Sequence, residues 1–112
     1  KRLEDMEKKE FIKLIIRGDK MFIIEDNIKK LKYFYEACLE NNFQRAAAKN
    51  FISASAISIY IRNLEEDLGC KLIVRTSKKF ELTEKGERLF EICDKLFMDI
   101  YINDLKIREL LK

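Results

Sequence analysis

Not one of the 112 residues is a proline, and only three are glycines. Strand-and-turn architectures are punctuated by those two residues. A chain nearly without them is expected to be mainly α, its helix ends set by capping side chains. A hydrophobic content of 47% suffices for one modest core, which limits the chain to a small domain plus an appendage. Three stretches follow: 1–26, an N-terminal extension of unclear structure; 27–83, the domain proper; and 84–112, one long helix.

Asp26 or Asn27 can cap a first domain helix in which Ile28, Leu31, Tyr35 and Cys38 recur at three- and four-residue spacing, ending near "ENN". Asn42 then caps a short second helix, "FQRAAAKN", whose Ala46 and Ala47 are small enough for another helix to cross closely. Ser53 is the N-cap of a third helix that puts Ile57, Ile61, Leu64 and Leu68 on one face and stops near Gly69. Beyond Gly69 the period changes. "KLIV" and "FEL" are short β-prone runs on either side of "RTSKK", which predicts a two-stranded wing with a basic tip.

Thr83 caps a final helix from about Glu84 to Leu111. On it, Leu89, Cys93, Leu96, Ile100, Asn103, Ile107 and Leu110 alternate by four and three, and Phe90, Phe97 and Tyr101 form a second apolar face. One small domain offers only one surface to pack on. Leu89, Cys93, Leu96, Phe97, Ile100 and Ile107 are therefore expected to meet a second copy of the chain, making this a dimerisation helix. Asn103 either sets register between subunits or lies at an exposed margin. In the extension, "FIKLIIRGDKMFII" reads as a hairpin turning at Gly18-Asp19 or, in preference, as a helix ending at Gly18 with an extended lead-in behind it.

Histidine is absent, and Cys38, Cys70 and Cys93 stand too far apart in sequence to form a ligand cluster, so neither a metal nor a cofactor is expected. Isolated cysteines in odd number read as reduced thiols in the cytoplasm. The longest uninterrupted apolar run is the four residues of "MFII", far short of the roughly 20 a membrane span needs. An enzyme is not expected either, since no nucleophile elbow or phosphate loop is present and "RGDK" lacks the glycine spacing of one.

The net charge of +3 says little, but its distribution says more. Residues 1–26 carry seven basic and seven acidic groups and residues 84–112 six and seven, whereas residues 27–83 hold ten basic against six acidic. That surplus of four can attract an anionic polymer. Three helices, small residues where the second and third cross, and a basic ribbon together make a winged helix-turn-helix, with the third helix entering the DNA major groove and the wing on backbone or minor groove. With Ile57, Ile61 and Leu64 inward, the helical step turns Ser55, Ser58, Ile59 and Arg62 outward. Short hydroxyls at the leading end let the backbone approach base edges and phosphates, and Arg62 adds a charge further along.

At these residues a family resemblance becomes specific. The run Leu31 to about Leu89 resembles the N-terminal DNA-binding domain of LysR-type transcriptional regulators: "RAA", a Ser-x-x-Ala-Ile-Ser opening of the third helix, "LE-x-x-LG", the wing "RT", and the "LT-x-x-G" that opens the linker helix. The resemblance implies a cytoplasmic bacterial regulator that dimerises through its linker helices and reads two half-sites of double-stranded DNA. Carried over by position, Gln44, Arg45, Ser53, Ser58 and Arg62 face DNA, and Arg75 is the wing arginine. Lys78 and Lys79 supply the basic tip. The chain departs from the family where Gln-Pro is usual, at Ala54-Ser55, and where Arg-Gln is frequent, at Ile59-Tyr60. Each lost bidentate base contact would be worth about 1–3 kcal/mol of discrimination, so the operator is not inherited. Ile59 can touch a thymine methyl, Tyr60 can contact phosphate or cover the core edge, and Asn50 replaces a usually apolar residue.

Two functions compete at this stage. One is a homodimeric, sequence-specific DNA binder that uses Gln44, Arg45, Lys78 and Lys79 on phosphates and the Ser53 to Arg62 face on bases. The other is an interaction module that forms inactive mixed dimers with a related full-length regulator. On either reading the family's effector-binding domain, and with it any small-molecule effector site, is absent from these residues, as in a fragment or a naturally short regulator.

Overall fold

The computed structural model describes residues 7–17, 23–76 and 78–112. Five helices follow one another: α1 (Lys8–Arg17), α2 (Ile23–Glu40), α3 (Phe43–Lys49), α4 (Ala54–Leu68) and α5 (Glu84–Leu110). The helical alternative for "FIKLIIR" holds, and the expected turn at Gly18-Asp19 lies outside the described residues. Residues from Ile23 are helical rather than an extended lead-in, so the boundary drawn at 26/27 falls inside α2. Asp26 and Asn27 are not caps: Glu25 and Asp26 occupy the first turn, where carboxylates complement the helix dipole, and Asn27 donates from inside the helix to the Ile23 carbonyl at 2.9 Å.

Three caps fall where the sequence puts them. The side chains of Asn42, Ser53 and Thr83 accept from the backbone N–H groups of Arg45, Ala56 and Gly86, and Gly69 ends α4 at φ 71°. The two tight turns before α3 and α4 put non-glycine residues in the left-handed region, Asn41 at φ 54° and Phe51 at φ 57°. Asparagine tolerates that conformation; phenylalanine does not gain from it.

The core lies where α2, α3 and α4 meet, around the fully buried Phe34, Ile57, Ile61 and Leu64, with Leu72 and Cys93 closing it from the two sides. Ala46 and Ala47 are buried at the α3 crossing, as their size requires. Of the expected α2 line, Leu31 is buried and Tyr35 and Cys38 are partly buried against the core, whereas Ile28 is exposed; Phe34 and Ala37 complete the buried face. Asn50 finds polar partners where an apolar residue was usual: its side chain donates to the Glu36 carboxylate and, at 2.8 Å, to the Ala46 carbonyl.

The wing has no strands among the described residues. It is reduced to one antiparallel bridge, Ile73 with Leu82, beside a Val74 N–H to Glu81 carbonyl bond of 2.9 Å. The reason is a rival acceptor. The Glu65 carboxylate takes the Leu72 and Ile73 N–H groups at 2.8 and 3.2 Å, so the Leu72 N–H cannot extend the ladder, while the Leu72 carbonyl accepts from Thr83 N–H at 3.0 Å as the second bond of the bridge.

The first half of α5 packs on its own chain. Cys93, expected to face a second subunit, is fully buried in the core, and Leu89, Phe90 and Phe97 lie partly buried against it. Tyr35 of α2 stacks on Phe90 and Phe97 with ring centroids 5.7 and 5.3 Å away and donates its hydroxyl to Asp94 at 2.6 Å. That hydrogen bond to Asp94, more than burial, pushes the phenol up to about 12. Burial pushes the Cys93 thiol up to about 11 and the Cys38 thiol to about 12. Leu96 is half-buried, and from Met98 onward every residue of α5 is exposed, Ile100 and Ile107 included.

Candidate nucleic-acid interface

The N-termini of α3 and α4, residues 73–75 and residues 78–80 border an open groove. Its lining brings together Gln44, Ala54, Ser55, Arg62, Arg75, Lys78 and Lys79, seven of the residues predicted to face DNA, over a floor that includes Phe43, Ile73 and Phe80. Phe43 and Phe80 meet edge to face at 5.3 Å, which holds the loop against α3. Four predicted residues lie beside the groove. Ser53 is exposed while its hydroxyl caps α4, Arg45 is exposed on α3, Ser58 is half-buried behind the rim, and Ile59 stands out from α4 with 57% of its surface exposed.

Charge is sorted across the fold. Neither α3 nor α4 has an acidic residue in its first turn, so their positive N-terminal ends stay uncompensated. Nearby carboxylates are occupied: Glu40 by Lys49 at 2.6 Å, Asp67 by Lys30 at 2.7 Å and Glu65 by Arg75 at 3.0 Å. Arg45, Arg62 and Lys78 form no ion pair among the described residues and face outward. A concave surface with two helix N-termini and unpaired cations is suited to a polyanion.

Arg75 is not a free wing arginine. Its guanidinium donates to Ser58 Oγ at 3.3 Å and Glu65 Oε1 at 3.0 Å, and its Nε is buried without a partner. It braces the loop to the outer face of α4, and so fixes where the Ser58 hydroxyl sits. Glu65, the other half of this brace, was missed from sequence. Burial alone would raise its carboxyl, but hydrogen bonds from Leu72 N–H, Arg75 and Ile73 N–H, with the charge of Arg75, outweigh that and hold it below the usual carboxylate range. The signal was present: Glu65 follows Ile57 and Ile61 at four-residue spacing, on the edge of the core stripe, where a solvated carboxylate has no place. Tyr60 covers the core edge. Its ring meets that of Tyr33 at 4.8 Å, with Lys29 Nζ 5.4 Å from its centroid.

Among the described residues no group of three or more histidine, cysteine or acidic side chains could hold a metal ion, and no helix is long and apolar enough to cross a membrane.

Three packed helices with a short turn between the last two, a groove at their N-termini and a braced loop beyond define a helix-turn-helix module. The profile of the bacterial regulatory helix-turn-helix proteins of the lysR family matches residues 28–87, over half the chain, and the chain belongs to that family. Its relatives are transcriptional regulators. PgrR of Escherichia coli is 36% identical over 75 residues, 67% of this chain and 25% of that protein. PtxR of Pseudomonas aeruginosa is 34% identical over 74 residues, 66% of this chain and 24% of that protein. The chain thus spans about a quarter of the length of these relatives. In fold it is similar to the BenM DNA-binding domain in its complex with catB site 1 DNA, at a TM-score of 0.70 and 28% identity over 75% of this chain and 93% of that one. It is also similar to Vibrio fischeri DarR in complex with DNA, at 0.65 and 32% identity over 73% of this chain and 28% of that one.

Proposed function

We propose that this domain binds duplex DNA in a sequence-specific manner as a homodimer, as the DNA-reading part of a bacterial transcriptional regulator. One observation carries the reading: the groove gathers the short side chains of the α4 N-terminus, unpaired Arg62 and the wing lysines on a single concave surface. In that pose α4 enters the major groove with Ala54 and Ser55 leading. Ser55, Ile59 and Arg62 meet base edges; Gln44, Arg45, Lys78 and Lys79 meet phosphates. Arg75 contributes by holding the wing and Ser58 in register, a role different from direct contact.

Pairing falls to the distal half of α5. Ile100, Tyr101, Ile107 and Leu110 are exposed there, and a second α5 would cover them, with Leu96 at the start of the contact and Leu89, Cys93 and Phe97 turned to their own core. Dimerisation spaces two recognition helices on one face of the DNA.

The test is selection from a random duplex library with purified protein at two salt concentrations, repeated with Arg62→Ala, alongside the mass in solution. An inverted repeat with half-sites about one helical turn or a multiple apart, altered at one position by Arg62→Ala, is the expected result. A stable dimer that binds every sequence alike and only at low salt would overturn base reading and favour the mixed-dimer role.

A further inference from the structure

The crest of α4 carries a large apolar side chain where a DNA-reading helix needs polar ones. At 100° per residue, Ile59 lies about 180° from the line of Ile57, Ile61 and Leu64, so it projects farther from the core than any other position in the first half of the helix. It is 57% exposed, takes part in no core contact, and sits between Ser55 and Arg62 on the outward face. Beyond it the same face turns acidic at the exposed Glu66. Phosphate repels that carboxylate, which disfavours close approach beyond Arg62.

An exposed isoleucine at the deepest point of a reading face gains nothing from hydrogen-bonding groups and loses water only against another apolar group. Base edges in the major groove present mainly nitrogen and oxygen donors and acceptors, and the largest apolar group among them is the C5 methyl of thymine. We infer that Ile59 reads that methyl, and that each half-site carries a thymine next to, or one pair removed from, the base contacted by Arg62. The spacing follows from the helix. Three residues rise about 4.5 Å, close to the 3.4 Å step between base pairs. Arg62, with no ion pair and a planar fork of donors, suits the O6 and N7 acceptors of guanine. This inference rests on the proposal that α4 enters the major groove.

The experiment replaces the thymines of a selected duplex one at a time with deoxyuridine, which removes only the methyl, and measures binding by wild-type protein and Ile59→Ala. Wild-type binding should weaken about fourfold per half-site at a single thymine, about 0.8 kcal/mol at 1.4 kcal/mol per tenfold, the worth of one buried methyl. Ile59→Ala should bind the thymine and deoxyuridine duplexes alike. Because Ile59 touches no core residue and alanine favours helix, the variant folds, which its thermal melt checks. If deoxyuridine is neutral everywhere while wild-type protein still selects its site, or if the loss persists in Ile59→Ala, the methyl reading is wrong and DNA recognition stands. If no duplex is selected at all, the major-groove pose fails and this inference with it.

Discussion

Gly86→Ala sets two effects of opposite sign against each other. Glycine in the first turn of a helix is a poor helix former, and alanine there would by propensity alone stabilise by up to about 1 kcal/mol. Space decides otherwise. A Cβ on Gly86 would lie 2.1 Å from the Leu72 carbonyl oxygen and 3.0 Å from its carbon, both backbone atoms. Leu72 cannot retreat, since its side chain is fully buried and its N–H is held by Glu65. The first turn of α5 must therefore move out by roughly 1.3 Å or more to reach ordinary contact distance. That opens the bonds from Thr83 N–H to the Leu72 carbonyl and from Thr83 Oγ1 to the Lys71 carbonyl, now 3.0 and 2.7 Å. Two hydrogen bonds at about 1 kcal/mol each and an overpacking strain of about 1–3 kcal/mol, less the propensity gain, leave a net destabilisation of about 2–4 kcal/mol. With a urea slope of about 2 kcal/mol per molar, the midpoint should fall by about 1–2 M, followed by helical circular dichroism. Gly69→Ala is the comparison. At φ 71° with nothing within 4 Å of its Cβ, only conformational strain of about 1–2 kcal/mol is expected, and Gly69→Asn should recover part of it. A midpoint for Gly86→Ala at or above wild type would refute the account of how α5 joins the domain.

Phe51→Asn should stabilise by about 0.5–1 kcal/mol, because asparagine accepts φ 57° more readily and the phenyl, 96% exposed, has no packing to lose; thermal melts check this, and a lower melting temperature would contradict it. Glu65→Gln should cost about 1–3 kcal/mol at neutral pH by weakening the hydrogen bonds to Leu72, Ile73 and Arg75. Since the folded state holds the Glu65 carboxyl below its unfolded value, its contribution is complete above the ordinary glutamate range and lost as pH falls through the folded value. The gap between wild type and Glu65→Gln in urea titrations should thus narrow below about pH 4. Lys78→Ala should weaken binding to all duplexes alike and reduce the salt slope by about two per dimer, one phosphate from each subunit; a change of sequence preference would assign it to bases instead.

What was legible in the sequence was local. Asn42, Ser53, Thr83 and Gly69 announce helix ends because a cap is satisfied within three or four residues, and each one is found in its place. Ile57, Ile61 and Leu64 announce the inner face of α4 by spacing alone. What was hidden depends on partners distant in the chain. The β-prone runs of the wing pair only at the Ile73–Leu82 bridge, because Glu65, seven and eight residues away, takes the N–H groups of Leu72 and Ile73. Cys93 and Phe97 look like a subunit stripe because spacing on one helix does not say which side Tyr35 covers. Arg75 matched a family position, yet its immediate partners are Ser58 and Glu65 on another element.

These long-range contacts converge on three residues. Lys71 and Leu72 receive the Thr83 hydroxyl and N–H from the start of α5, and Leu72 and Ile73 give their own N–H groups to Glu65 of α4. Segment 71–73 is therefore a joint whose one side is α4 and whose other side is the root of α5, clamped at Gly86 without room for a methyl. In the proposed dimer the two α5 helices set the separation of the subunits, and this joint passes that separation to the α4 crests without a flexible link. Half-site spacing is then a property of the joint. Loosening it by Gly86→Ala should broaden the range of spacings the protein tolerates in the selected repeats, while the bases preferred within each half-site, set by Ser55, Ile59 and Arg62, stay the same.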